Sequence, residues 1–144
     1  MKTFSFFIAC AFAILLSNTT HAQSYSDLIG KWKIDTDQTV ALMSTDAKSQ
    51  FDSLDDASKN EILNDLLKQR FTFNADSTFL AGSIGANFYD GTWKLVSDEL
   101  QLSFYNGANI SQQVSVPNEN ALVLTIANST SFITNFYLKK SSTN

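Results

Sequence analysis

The chain has 144 residues, of which 44% are hydrophobic and 17% charged, and its formal net charge is −4. This length suits a single domain, because one core usually serves about 100–200 residues, and the composition is typical of a globular protein rather than a disordered or collagen-like one. The acidic balance disfavours nucleic acid and anionic membrane surfaces as partners, since proteins that bind phosphate backbones carry basic patches.

Residues 1–22 have the parts of a secretory signal peptide. Lys2 precedes an apolar run over residues 4–16, and the segment ends on the small-x-small pattern Thr20-His21-Ala22. We therefore expect cleavage after Ala22 and export to the periplasm or the extracellular space. The apolar run is short of the roughly 20 residues that span a bilayer, and we expect no transmembrane segment after cleavage. Lipidation at Cys10 is disfavoured, because its apolar core would be very short.

Cleavage would remove Cys10 and His21, the only cysteine and the only histidine of the chain. The mature chain would then form no disulfide, no cysteine or Ser-His-Asp nucleophile and no zinc or copper site built on thiolate or imidazole. Two kinds of site remain possible on these residues: a catalytic pair of carboxylates, and a calcium site that uses Asp35 and Asp37 as ligands. Acids at turns and helix starts explain these residues equally well, so we expect no enzyme, no cofactor and no metal site.

The mature chain begins with a strand and continues with helices. Gly30, Trp32 and Ile34 alternate with lysines, which is typical of a half-buried strand. Residues 36–69 contain no Gly or Pro and show apolar residues every three or four positions, which predicts one or two short helices. A capping signature at Ser53-Leu54-Asp55-Asp56 would start one of them, with Leu66 and Leu67 among the residues on its inner side. These helices would cover an edge or end of the sheet, or form a lid over a pocket.

After residue 70 the alternation returns in seven short runs. Their apolar positions are Phe71 and Phe73; Phe79 and Ala81; Tyr89, Trp93 and Leu95; Leu100, Leu102 and Phe104; Val114 and Val116; Leu122, Leu124 and Ile126; and Phe132, Phe136 and Leu138. Short turns rich in Asn, Asp, Ser and Gly join these runs, so neighbouring strands should pair antiparallel. We predict an all-β fold, an eight-stranded up-and-down barrel with the helical insertion between strands 1 and 2; an antiparallel sandwich is the alternative.

Two glycine-x-tryptophan motifs stand out in the predicted strands. Gly30-Lys31-Trp32 is echoed by Gly91-Thr92-Trp93, and in both the tryptophan side chain should point inward. A large ring beside a glycine can fill the end of a barrel, so we expect Gly30, Trp32 and Trp93 at its closed end.

The ordered set of motifs resembles the lipocalin or calycin superfamily, most of all the small secreted lipocalin-like proteins of the Bacteroidota. It comprises Gly30-Lys31-Trp32, the segments 71–79, 91–95 and 98–102, and the terminal segment 136–140. The resemblance implies that a basic residue of the last strand lies over the tryptophan of the first. Lys139, or its neighbour Lys140, stands where lipocalins usually have an arginine.

Strand direction places the candidate binding residues. If Gly30 lies at the closed end, the helices and the longer loops collect at the other end, which forms the mouth. The inward positions of that half are Ile34, Phe71, Tyr89, Phe104, Ile126 and Phe132, and they could line a pocket for a small hydrophobic molecule. We therefore expect a carrier that sequesters such a ligand; the alternative is a protein-interaction or structural module with a filled barrel.

Overall fold

The computed structural model describes residues 23–127 and 131–142, so the predicted leader lies outside the described residues. Its centre is a closed barrel of eight antiparallel strands in chain order, with the last strand paired to the first. The barrel confirms the predicted up-and-down topology and excludes the sandwich. The strands are β1 Gly30–Ile34, β2 Gln69–Phe73, β3 Thr78–Ser83, β4 Phe88–Val96, β5 Glu99–Phe104, β6 Asn109–Asn118, β7 Ala121–Thr125 and β8 Asn135–Lys140.

Alternating burial along the strands explains why the barrel closes. Trp32 and Ile34 of β1 are buried on either side of half-buried Lys33, and Phe73 and Phe79 face inward from β2 and β3. Because apolar side chains at every second position point inward, only the outer face of the sheet contacts water. Closure of the barrel also leaves no strand edge unpaired.

Gly91 allows two strands to approach closely on one side of the barrel. A Cβ atom there would lie 2.1 Å from the carbonyl oxygen of Ser103 on β5 and 2.8 Å from the ring of Phe79 on β3. No larger residue fits between backbone and ring at these distances, so glycine at this position is a packing requirement.

Three helices occupy the connection between β1 and β2, where the sequence predicted one or two. They are α2 Thr36–Ala41, α3 Thr45–Ser53 and α4 Asp56–Lys68, and a further short helix, α1 Tyr25–Leu28, precedes β1. The side chains of Asp35, Ser44 and Asp55 accept hydrogen bonds from backbone N–H groups of the first turns of α2, α3 and α4. A helix therefore starts within the predicted capping signature, but its capping residue is Asp55; Ser53, the first residue of that signature, ends α3 instead.

The insertion is attached to the barrel at two helices. Thr39 of α2 is fully buried, and its hydroxyl accepts a hydrogen bond of 3.0 Å from the backbone N–H of Tyr137 on β8. Leu66 of α4 packs against the barrel core. Leu67, which the periodicity placed on the inner side, is instead 49% exposed, because the end of α4 is only partly covered by the barrel.

Candidate functional site

The closed end of the barrel is filled by aromatic rings. Tyr25 of α1 stacks on Trp93, with ring centroids 4.2 Å apart and planes 10° from parallel, and its hydroxyl is 2.8 Å from the Ser77 hydroxyl in the β2–β3 turn. The indole N–H of Trp32 donates to the carbonyl oxygen of Leu28 at 2.8 Å. Trp32 and Trp93 thus lie where the sequence predicted them, and α1 completes the plug.

The cation over Trp32 is Lys140 rather than Lys139. Its Nζ lies 5.2 Å from the centroid of the ring, and Gly30, with φ near +141°, leaves room for the lysine stem 3.2 Å from an ideal Cβ position. Lys139 points away from the barrel interior and pairs with Asp35 at 2.8 Å. The alternation of β8 decides this, because Leu138 faces inward and Lys140, two residues on, continues its side.

The closed half of the interior is filled by large buried side chains. Its side chains include the largest fully buried ones of the described residues: Trp32, Phe73, Phe79, Leu100, Leu122 and Leu138. Among the described residues, a cavity opens in the half towards the helices, where β1, β7 and β8 meet α4.

A cavity of about 290 Å³ opens at that mouth. Three of the predicted residues, Ile34, Phe71 and Ile126, line it together. The other apolar lining residues are Leu66, Leu124 and Phe136, and two amide side chains, Gln69 and Gln112, complete the wall. Among the described residues neither glutamine side chain has a hydrogen-bond partner in the protein, so their amides are available to a ligand.

A second, shallower cavity of about 370 Å³ adjoins the first and shares Gln69 and Phe71 with it. The predicted residues Tyr89 and Phe104 line this one, with their rings 6.5 Å apart and nearly perpendicular. Tyr89 is 53% exposed and therefore forms the outer rim of the mouth rather than its wall. Five of the six predicted residues thus surround one continuous opening.

Phe132 lies outside this opening. The structure starts β8 at Asn135, so Phe132 belongs to the preceding loop, where its ring packs 6.4 Å from that of Phe51 on α3. In the sequence, Phe132 shares the alternation of Phe136 and Leu138. It contains no signal for the irregular backbone between Phe132 and the strand, so the position was assigned to the wrong element.

The sequence analysis missed three residues of the mouth. Leu66 was assigned to the inner side of a helix but not to the pocket, because the position of a helix over a barrel is set by tertiary packing. Gln69 and Gln112 are inward positions of β2 and β6, two residues before Phe71 and Val114 respectively. Continuing the alternation through these polar residues would have found them.

Carboxylates near the barrel have structural partners. The pKa of Asp35 is lowered, first by the hydrogen bond from Lys139 and also by the backbone N–H of Gln38. Hydrogen bonds from Thr78 lower the pKa of Asp76 in the β2–β3 turn. In residues 23–127 and 131–142 we find no group of three or more Asp, Glu, His or Cys side chains placed to hold a metal ion.

Comparison with known proteins agrees with the barrel fold. The family described as lipocalin-like domain matches residues 28–124, which is most of the chain. The chain belongs to this lipocalin-like family. The matched segment runs from the buried Leu28 of α1 to Leu124 in the wall of the mouth, so it includes both tryptophans of the closed end and most residues that line the cavity.

The lipocalin-like domain is also similar to a solved structure. The crystal structure of a DUF4847-family protein from Bacteroides vulgatus superposes with a TM-score of 0.54 over 81% of this chain and 96% of that chain, at 14% sequence identity. At this identity the similarity concerns the fold alone. No curated protein matches the chain. Within its described residues, none of the helices has the length and apolar character needed to cross a membrane.

Proposed function

We propose that this lipocalin-like domain is an exported, non-enzymatic binding protein that holds a small hydrophobic molecule in the mouth of its barrel. The observation that carries the proposal is the apolar cavity of about 290 Å³ above a filled closed half. The family supports it, because lipocalin-like proteins are generally binding proteins.

The size and polarity of the mouth favour a particular kind of ligand. Apolar cavities of about 150 Å³ hold benzene, and ligand pockets generally start near 300 Å³, so the mouth suits a molecule of about two rings that extends towards the shallower cavity. Its six apolar lining residues would bind the body of the ligand. Gln69 and Gln112 would hydrogen-bond one uncharged polar group, since an amide offers both donors and an acceptor.

A fluorescence titration tests the proposal. The uncharged probe N-phenyl-1-naphthylamine should gain emission on entering the mouth. Ile126→Trp fills the cavity from its wall and should weaken probe binding at least tenfold. Val96→Trp is the matched control, because Val96 is half exposed on the outer face near the closed end and should leave binding within twofold of the wild type.

Three results would count against the proposal. If the wild-type protein does not increase the emission of the probe, the mouth does not bind it. Equal weakening by both tryptophan variants places the probe elsewhere, and full binding by Ile126→Trp excludes this cavity. Native mass spectrometry of protein purified from its own cells, followed by extraction, would identify the natural ligand as a mass above that of the mature chain.

Export is the part of the proposal that depends on the leader. Its support is the arrangement of charge, apolar run and small residues over residues 1–22. N-terminal sequencing of protein recovered outside the cytoplasm should begin at Gln23. A mature protein that still starts at Met1, or that carries lipid on Cys10, would refute it.

A protein-interaction role is the second candidate. The observation that favours it is the exposed apolar rim formed by Ile84, Phe88 and Tyr105, which are 54%, 43% and 66% exposed at the open end. Apolar side chains gathered on one edge are typical of surfaces that bind other molecules. Failure of every apolar probe, together with a stable protein complex lost on Ile84→Ser and Tyr105→Ser substitution, would favour this role.

A further inference from the structure

The outer face of the barrel carries an unusual row of cations. Lys33 of β1 lies directly opposite Arg70 of β2 on one side and Lys139 of β8 on the other. Like charges at opposed positions of neighbouring strands repel each other, so each needs a compensating group. In an acidic chain with only ten basic residues, this basic row of Arg70, Lys33 and Lys139 requires an explanation.

Two members of the basic row are compensated within the protein. Lys139 pairs with Asp35 at 2.8 Å, and Nη1 of Arg70 donates to the carbonyl oxygens of Leu67 and Gln69, both at 2.7 Å. Lys33 has neither an ion pair nor a hydrogen bond to any residue in the described part of the chain. The remaining N–H groups of the Arg70 guanidinium also have no acceptor there.

A cavity of about 310 Å³ lies along the basic row. All three cations line it, together with Asp35 and Asp37. The Asp35 carboxylate is already used by Lys139 and by the N–H of Gln38 at 3.1 Å. This leaves Lys33 and the free side of Arg70 facing the single carboxylate of Asp37, so the unpaired charge of the cavity is positive.

We propose that this outer cavity binds an oxyanion, a carboxylate or phosphate group, between Lys33 and Arg70. An oxyanion would accept from the ammonium group of Lys33 and from the free guanidinium N–H groups of Arg70, which present a fork suited to two oxygens. It would also relieve the repulsion within the row.

Two kinds of molecule could supply the oxyanion, and both would bind through the same contacts. It is either a free anion or the headgroup of an amphiphile whose tail lies in the mouth. The second source is close in space, because Ile34 lines both cavities and Leu66 and Leu67 line the mouth and the outer cavity respectively. The proposal goes beyond the binding of a hydrophobic ligand and does not depend on it.

An NMR titration of the full mature chain at low ionic strength tests the site. The probes are inorganic phosphate, acetate and octyl phosphate below its micelle concentration, and the readout is saturable shifts of the amides of residues 33–37 and 67–70. Lys33→Gln should weaken binding at least tenfold. Lys31→Gln is the control, because Lys31 is also outward on β1 and loses the same charge, but faces Thr72 and does not line the cavity. It should change binding less than twofold.

The possible outcomes distinguish a free anion from a headgroup, and both from a result that refutes the site. Lys33-dependent binding of phosphate or acetate indicates a free-anion site. Lys33-dependent binding of octyl phosphate alone, weakened as well by Ile126→Trp, indicates a headgroup site. Equal losses in Lys33→Gln and Lys31→Gln, or no saturable shift with any probe, would overturn the proposal. Binding of the uncharged mouth probe should be unaffected by Lys33→Gln, so failure here is distinct from failure of the mouth.

Discussion

Thr39 offers the sharpest test of how the helical insertion is fastened to the barrel. Its side chain is fully buried, and its hydroxyl accepts from the N–H of Tyr137 at 3.0 Å. The same hydroxyl donates to the carbonyl oxygen of Tyr137 at 3.5 Å, but that oxygen also accepts a shorter hydrogen bond from the N–H of Asp35 at 2.8 Å. Replacing Thr39 by valine therefore keeps the shape but leaves the partly buried N–H of Tyr137 without its acceptor, whereas serine keeps the hydroxyl and loses one methyl group.

The two variants should differ in the free energy of unfolding. A buried N–H without a partner costs about 1–3 kcal/mol, and a buried methyl group contributes about 0.8 kcal/mol. The helix propensities of Thr, Val and Ser are similar, so α2 itself is little affected. We expect Thr39→Val to destabilise the protein by about 2 kcal/mol and Thr39→Ser by about 1 kcal/mol.

Urea unfolding measures these costs. With an m-value near 2 kcal/mol/M, Thr39→Val should lower the midpoint by roughly 1 M and Thr39→Ser by about half as much. Hydrogen exchange of the Tyr137 amide should accelerate in Thr39→Val and stay slow in Thr39→Ser. A serine variant that is as unstable as the valine variant, or a Tyr137 amide equally protected in both, would refute the role given to the hydroxyl.

Three further predictions concern the barrel wall, the acid response and the plug. Gly91→Ala should cost at least about 3 kcal/mol in thermal unfolding, because the added Cβ meets backbone atoms, whereas Gly85→Ala, with φ near +84° but open surroundings, should cost about 1 kcal/mol; equal costs would contradict this. The pKa of Asp35 is lowered in the folded protein, so its carboxylate stabilises the fold fully above its unfolded pKa of about 4, and this stabilisation is lost as the pH falls through the lower folded pKa. The loss of stability in Asp35→Asn, measured by urea unfolding, should therefore be smaller at pH 3 than at pH 6. A loss that is the same at both pH values would count against the ion pair. Lys140→Met keeps the stem over Trp32 but removes the charge, and should lower the unfolding free energy in urea by about 0.5–1 kcal/mol, because Lys140 is exposed; an unchanged value would exclude a cation–π contribution.

Local patterns in the sequence predicted most of the barrel. Alternation at Trp32, Phe73 and Trp93 is a property of two-residue spacing, and short turns leave antiparallel neighbours as the simplest connection. The position of the helices follows from contacts distant in sequence instead. The hydroxyl of Thr39 meets Tyr137 almost a hundred residues later, and no pattern within α2 indicates that partner.

The candidate site shows the same division. Ile34, Phe71 and Ile126 line the mouth together, and the sequence could predict this because the alternation shows which side chains point inward and the turns show the direction of each strand. Phe132 is displaced because a strand boundary decides its position, and boundaries depend on hydrogen bonds that alternation does not encode. Lys140 could have been chosen over Lys139 by extending the alternation of β8 by one step.

The two ends of the described part of the chain lie on the same side of the barrel. Tyr25 contacts the Ser77 turn, and β8 runs from the mouth to Lys140 over Trp32, so residues 23 and 142 both leave from the plugged end. A tag, a biotin or a solid support attached at either position would immobilise the domain through the closed end of its barrel. The opening would then face the solution, where surface-based binding measurements require it.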